Sequence, residues 1–328
     1  MKTFDYTRAS STEEAVSAIN SIDRAMFLGG GTNLIDLMKE GIEQPDCLID
    51  VTKLSLAEIE ELPDGGVKIG AMARNSDTAN HPLIRQRYPV LSQAFLAGAS
   101  PQLRNMATVG GNLMQRTRCY YFTDTAMPCN KRDPGSGCAA IEGFNRIHAI
   151  LGASEQCIAT HPSDMCVALA ALDAVVKVQG SKVEREIALV DFHTLPGDNP
   201  EIETALQPGE LITAVELPAV DWANQSYYLK VRDRNSYAFA LISVAVALNI
   251  QDDKIQDARV AMGGVAHKPW RAIEAEEMLV GKTANEDTFR QAAEIALAEA
   301  KTYEHNAFKV ELGKRAIVRA LSTVAASV

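Results

Sequence analysis

Phe27-Leu28-Gly29-Gly30-Gly31-Thr32-Asn33-Leu34 decides how this chain is read. The apolar run Ala25-Met26-Phe27-Leu28 has the length and composition of a buried strand. Three consecutive glycines break it, and 33–40 carries the pattern of a helix. The run fails G-x-G-x-x-G because the third glycine position holds Leu34, so the Rossmann fingerprint is excluded on spacing. Its backbone N–H groups still form a nest at a helix start, and Thr32 and Asn33 add side-chain donors. That chemistry suits a pyrophosphate. Taken alone, the same run is most simply a tight strand-to-helix turn.

Working outward, Phe4-Asp5-Tyr6 reads as a first strand. Ser11 caps a helix, with Glu14 completing a capping box. Cys47-Leu48-Ile49-Asp50-Val51 is another buried strand. This β-turn-α-β pattern predicts an α/β subdomain over 1–55. A second region, 56–220, opens with the strand Val67-Lys68-Ile69-Gly70-Ala71. It continues through helix formers at 76–99, a helix at 165–172 and strands at 174–178 and 211–217. A linker at 218–224 leads to two strand-like runs within 227–250 and a third at 255–262. Alanine-rich helical periodicity follows at 289–301 and 314–324. The last part, 224–328, is therefore expected to be a three-stranded antiparallel sheet packed against helices.

The chain has 328 residues, 47% hydrophobic and 23% charged, which is ordinary for a globular protein of two or three domains. A net charge of −10 argues against a nucleic-acid partner, which requires a basic face. The N-terminus lacks the apolar core of a secretory signal, and the longest apolar stretch, 238–248, is too short to span a bilayer. Six cysteines without such a signal read as thiols or metal ligands rather than disulfides.

A second glycine turn, Thr108-Val109-Gly110-Gly111-Asn112-Leu113, offers the chemistry of the first, so the two can clamp one extended dinucleotide from both sides. Six residues later begins C-x9-C-x8-C-x18-C: Cys119, Cys129, Cys138 and Cys157. Structural zinc uses close C-x2-4-C pairs, and there are none here. An iron–sulfur cube accepts wider spacing when a loop wraps it. Arg116, Arg118, Lys131 and Arg132 offset thiolate charge, and Pro128, Pro134, Gly135 and Gly137 let the loop turn. Four unrelated buried cysteines remain the plain alternative. Cys47 and Cys166 read as core thiols. The six histidines form no i, i+4 metal pair. His161, just before Pro162-Ser163-Asp164, is placed to approach a cofactor, although a lone histidine is usually structural. Gly281-Lys282-Thr283 imitates a P-loop end, but Glu276 holds the required glycine position, so it reads as a helix C-cap. No acid–base catalytic set stands out, which fits cofactor-borne electron transfer.

These motifs, with Ile69-Gly70-Ala71, the stretch 99–112, His161-Pro162-Ser163-Asp164 and Tyr228-Leu229-Lys230-Val231-Arg232, resemble the FAD-binding medium subunits of the molybdenum hydroxylases, the xanthine dehydrogenase family. The resemblance covers nearly the whole chain. It implies a two-part FAD-binding domain of the vanillyl-alcohol oxidase type and a C-terminal α+β domain. The cysteine insertion, about 114–158, resembles a minority of that family, found in 4-hydroxybenzoyl-CoA reductases and most closely in bacterial periplasmic aldehyde oxidoreductases. In that pattern Cys119, Cys129, Cys138 and Cys157 match [4Fe–4S] ligands. Phe27, Leu28, Gly29, Gly30, Gly31, Thr32, Asn33 and Leu34, with Thr108, Gly111 and Asn112, match residues that hold the FAD pyrophosphate and ribityl chain. Asp164 matches a residue on the adenosine side, Ile212 lies near a flavin contact, and Lys230 matches a lysine near the isoalloxazine.

The implied role is electron transfer through FAD and a [4Fe–4S] cluster to an external acceptor. Electrons would come from a large molybdopterin subunit that oxidises aldehyde and a small subunit with [2Fe–2S] clusters. A stand-alone flavin oxidoreductase and the subunit of a 4-hydroxybenzoyl-CoA reductase-like enzyme are the alternatives. The resemblance also implies a periplasmic location by co-export with a signal-bearing partner, against the cytoplasmic location that a chain without a signal would have. No membrane partner is expected.

Overall fold

The computed structural model describes residues 1–327. β1 (Asp5–Arg8), β2 (Ala25–Leu28) and β3 (Cys47–Asp50) form a parallel sheet in the order β1-β3-β2. The helices Thr12–Ser21 and Leu34–Lys39 make the crossovers. β3 is central and all four of its residues are buried, which is why Cys47-Leu48-Ile49 reads as an apolar run, closed by the buried Asp50. Ser11 Oγ accepts the Glu14 N–H at 3.1 Å as expected. The Glu14 carboxylate, however, returns to the Ser10 N–H at 2.8 Å, so the box closes one residue earlier than predicted.

A five-stranded antiparallel sheet follows: β4 (Ile59–Glu61), β5 (Val67–Gly70), β6 (Val175–Gln179), β7 (Glu184–Ala188) and β8 (Leu211–Leu217), in the order β4-β5-β8-β6-β7. Its edges, β4 and β7, carry charged and exposed residues, which protect an edge and also hide it from hydrophobic pattern reading. The helix-rich stretch 76–99 is three short helices, Asn75–Asn80, Pro82–Arg87 and Pro89–Ala97. Pro82 and Pro89 each sit at a first helical turn, where a missing N–H costs nothing, and so restart the chain in a new direction.

The C-terminal sheet has four strands, not the three expected: β9 (Ser226–Val231), β10 (Ile242–Gln251), β11 (Lys254–Gly263) and β12 (Trp270–Arg271). β12 spans two residues and pairs with Ala261 and Met262, too short to show any alternation. The β10–β11 hairpin turns on Asp252 and Asp253, both at positive φ (50° and 60°), as a type I′ turn requires. Val244, Val246, Leu248, Val260 and Met262 are fully buried against the helices Ile273–Leu279, Glu286–Ala296 and Phe308–Ala325. Each such side chain contributes about 1.5–3 kcal/mol. Gly281, at φ 78°, follows the first of these helices as the predicted C-cap glycine. The last helix sends the fully buried Lys309 back toward the cysteine segment, where Nζ donates to His148 O at 2.7 Å and to Gly264 O. Among the described residues no helix is long and apolar enough to cross a membrane.

Candidate cofactor cleft and cysteine nest

The loop leaving β2 and the turn at 108–112 meet. Val109 N–H donates to Ala73 O (3.0 Å) and Gly110 N–H to Ala71 O (2.8 Å), which anchors the second turn on the chain leaving β5. Thr108 Oγ1 accepts the Gly111 N–H at 3.2 Å and starts the short helix Val109–Leu113. A Cβ on Gly30 would stand 2.1 Å from Met106 O, so only glycine lets the two turns approach this closely. Gly31, at φ 74°, turns the strand into the helix.

Between them lies a cleft of about 490 Å³. It is lined by Phe27, Gly29, Gly30, Gly31, Thr32, Asn33 and Leu34, by Thr108 and Gly111, and by Ile212 from β8. Leu28 and Asn112 stand behind this lining. Leu28 pairs with Asp50 in the sheet, and Asn112 Oδ1 accepts from Ser163 Oγ at 2.8 Å. Asp164 and Lys230 are not in the cleft. They form a buried ion pair at 2.7 Å, with Tyr228 Oη donating to the other Asp164 oxygen at 2.6 Å. Burial, with the neighbouring carboxylate, raises the Tyr228 phenol well above its ordinary range. Asp164 instead borders a second cavity of about 290 Å³, which shares Thr160 and His161 with the cleft. Thr160 and His161 thus stand between the cleft and the cavity that Asp164 borders. The residues fit a dinucleotide: a first turn whose glycines lie so close to the second that a Cβ on Gly29 or Gly30 would meet Thr108 Oγ1 or Met106 O, a second turn held rigid by its own hydrogen bonds, and the buried, unpartnered Nδ2 of Asn33.

The cysteine segment runs from the cleft with little regular structure. Asn33 Oδ1 accepts the backbone N–H of Arg116 at 2.9 Å, and the Arg116 guanidinium pairs with Glu43 and Glu203. Lys131, almost fully buried, reaches the same Glu203 at 2.9 Å. Glu203 consequently lies below the usual carboxylate range: burial would raise it, and the Lys131 and Arg116 charges outweigh that effect.

Cys119, Cys129 and Cys157 are buried in one hydrophobic cluster with Leu37, Phe122 and Ile158, and Cys138 packs against it. Cys129 and Cys138 face each other across an antiparallel bridge, and Asn130 N–H donates to Gly137 O at 2.7 Å to close the intervening loop. Burial pushes the Cys119 thiol up to about 12, opposed by backbone N–H groups of Phe122 and Tyr121. Cys138 is held below its ordinary value chiefly because Cys157 donates to it, with the N–H groups of Ala140, Ile158 and Ile141 adding to that effect. His148 Nε2 lies 3.1 Å from Cys119 Sγ. Cys47 and Cys166 are buried elsewhere, in the main core.

Sequence spacing did not reveal that His161, His193 and His267 converge on the cleft. They come from three separate loops, and no local periodicity links them. His161, Cys166 and His193 bring ligand atoms within 4.8 Å of one another, and among the described residues the four segment cysteines do not form such a group. Burial pushes the Cys166 thiol up to about 12.

Residues 2–220 match the FAD-binding domain of molybdopterin dehydrogenases, and residues 227–324 match the C-terminal domain of the CO dehydrogenase flavoprotein. The chain is 53% identical to the aldehyde oxidoreductase FAD-binding subunit PaoB of Escherichia coli K12, over 98% of both chains. It is 29% identical to the glyceraldehyde dehydrogenase medium chain of Sulfolobus acidocaldarius, covering 88% of this chain and 85% of that one. The fold is shared with quinoline 2-oxidoreductase from Pseudomonas putida 86 (TM-score 0.77, 24% identity, 99% and 98% covered) and with carbon monoxide dehydrogenase from Hydrogenophaga pseudoflava (TM-score 0.77, 24% identity, 98% and 97% covered). The domains, their order and the full-length likeness make this chain an oxidoreductase subunit that belongs to the FAD-binding medium subunits of the molybdenum hydroxylases.

Proposed function

We propose that this chain is the FAD and [4Fe–4S] electron-transfer subunit of a molybdenum-containing aldehyde oxidoreductase. Its partners would be a molybdopterin-binding large subunit and a [2Fe–2S] small subunit, and an external acceptor would take the electrons. The observation that carries this reading is the adjacency of two sites through Asn33 and Arg116: a glycine-walled cleft and a nest of four cysteines, three of them buried.

FAD, when bound, supplies the exchange between one-electron and two-electron chemistry. The chain's own residues bind and shield it. The first glycine turn presents backbone amides, the second stands against it as a wall fixed by its own hydrogen bonds, Asn33 adds a side-chain donor, and Ile212 gives an apolar wall. In the nest, a single zinc with Zn–S bonds of about 2.3 Å would draw its sulfurs to about 3.8 Å of one another. Cys157 and Cys138 are in hydrogen-bond contact, but among the described residues no three of the thiols gather within 4.8 Å, which favours the wider cube, and the backbone N–H groups aimed at Cys119 and Cys138 suit its charge. Lys131 and Arg116, neutralised by Glu203 and Glu43, brace the wall between the two sites.

The test is anaerobic purification of the native complex with iron, sulfide, FAD and molybdenum quantified and co-purifying chains identified. Four iron and four sulfide beyond those of the small subunit, with one FAD, are expected. Zinc in place of that iron overturns the cluster, and a chain active on aldehyde alone overturns the assembly.

A further inference from the structure

Among the described residues, the buried side-chain atoms without a hydrogen-bond partner include Nε2 of His161, Nδ1 of His193 and both ring nitrogens of His267. All three residues line the cleft. Each orphaned polar atom costs about 1–3 kcal/mol, and native proteins hold few. Their concentration on one wall points to a polar ligand that satisfies them.

The tautomers follow from the contacts that are made. His193 donates from Nε2 to Leu113 O at 2.9 Å, which leaves Nδ1 as a lone pair. His161 Nδ1 accepts the Ser163 N–H at 3.4 Å, which leaves Nε2 as an N–H. The two rings lie 4.2 Å apart, so the wall presents a donor beside an acceptor. Burial holds His193 down at about 4 and the other two well below their ordinary value, so all three rings are neutral near pH 7. The wall also borders the second cavity, since Thr160 and His161 line both. A different part of the cleft, lined by Ile19, Ala25 and Met26, is apolar.

We propose that His161, His193 and His267 form an imidazole wall that hydrogen-bonds the flavin half of the dinucleotide, whose ring carbonyls, ring N–H and ribityl hydroxyls need both donors and acceptors. The adenosine diphosphate half is left to the glycine turns and the apolar part of the cleft. This rests on the cofactor reading above.

The full chain, freed of cofactor, is titrated with FAD and separately with ADP. His161→Phe and His267→Phe lower FAD affinity about tenfold, equivalent to roughly 1.4 kcal/mol, and shift the bound flavin absorption. ADP affinity stays at the wild-type value and serves as the check on folding. His161→Gln, which keeps a donor, recovers most of the loss. FAD affinity and spectrum unchanged in both Phe variants, or FAD and ADP lost in equal proportion, overturn the wall. Wild-type chain that takes up no FAD overturns the cofactor reading instead.

Discussion

Asn33 Oδ1 accepts the backbone N–H of Arg116 at 2.9 Å, joining residues 83 positions apart. One side chain thereby fixes the end of the glycine turn and the start of the cysteine segment. Asn33→Ala leaves the Arg116 N–H unpaired, at a cost of about 1–3 kcal/mol. Thermal melting of the variant is expected below wild type, with less FAD retained through gel filtration. Equal melting and equal FAD content would show the link to be idle.

Gly30→Ala probes the contact between turns. The added Cβ meets Met106 O, a backbone atom that cannot rotate away. The ratio of flavin to protein absorbance should drop by an order of magnitude while far-UV dichroism is kept. Retention of full flavin would contradict the close approach.

Lys230→Met strands the Asp164 carboxylate in the core, with its partner gone and only Tyr228 left to donate. Breaking a buried pair on one side costs about 3–5 kcal/mol. The double variant Lys230→Met with Asp164→Asn is expected to regain part of that. A urea-unfolding cycle over the four proteins measures the coupling, and additive effects would remove it.

Cysteine substitutions separate nest from core. Serine at Cys119, Cys129 or Cys157 should remove most of the iron and sulfide of the purified chain. Cys47→Ser and Cys166→Ser should leave both at wild-type level, because these thiols are buried in a different cluster. Iron lost equally from all five variants would count against the assignment.

Acid should destabilise the chain through His193. Burial lowers this imidazole to about 4, against about 6.5 when unfolded. Between those values the unfolded chain binds a proton that the fold refuses. Stability is full above pH 6.5 and falls as pH drops toward 4, by about 1.4 kcal/mol per unit for this group. His193→Asn keeps a donor for Leu113 O and removes the titration. Denaturant melts of wild type and variant across pH 4–7 should converge in acid; parallel curves would exclude His193 from the slope.

Much of this was legible in the sequence, for definite reasons. The N-terminal α/β subdomain announced itself because Cys47-Leu48-Ile49 is an apolar strand core, and the glycine turns because backbone approach leaves no substitute for glycine. The edge strands β4 and β7 were hidden by the charges that guard them. β12 was hidden by its two-residue length. Asp164 and Lys230 were expected beside the cofactor from the resemblance; the structure pairs them with each other, and Asp164 borders the second cavity. The histidine convergence was invisible because it is made by tertiary folding of three loops, and no spacing rule encodes that.

Lys309 lies 161 residues beyond the backbone carbonyl it holds at His148, and that histidine touches Cys119. Anyone transplanting the cysteine loop into another scaffold must therefore carry the chain's final helix along with it. For the same reason, a frameshift near the C-terminus would damage a site encoded almost two hundred codons upstream.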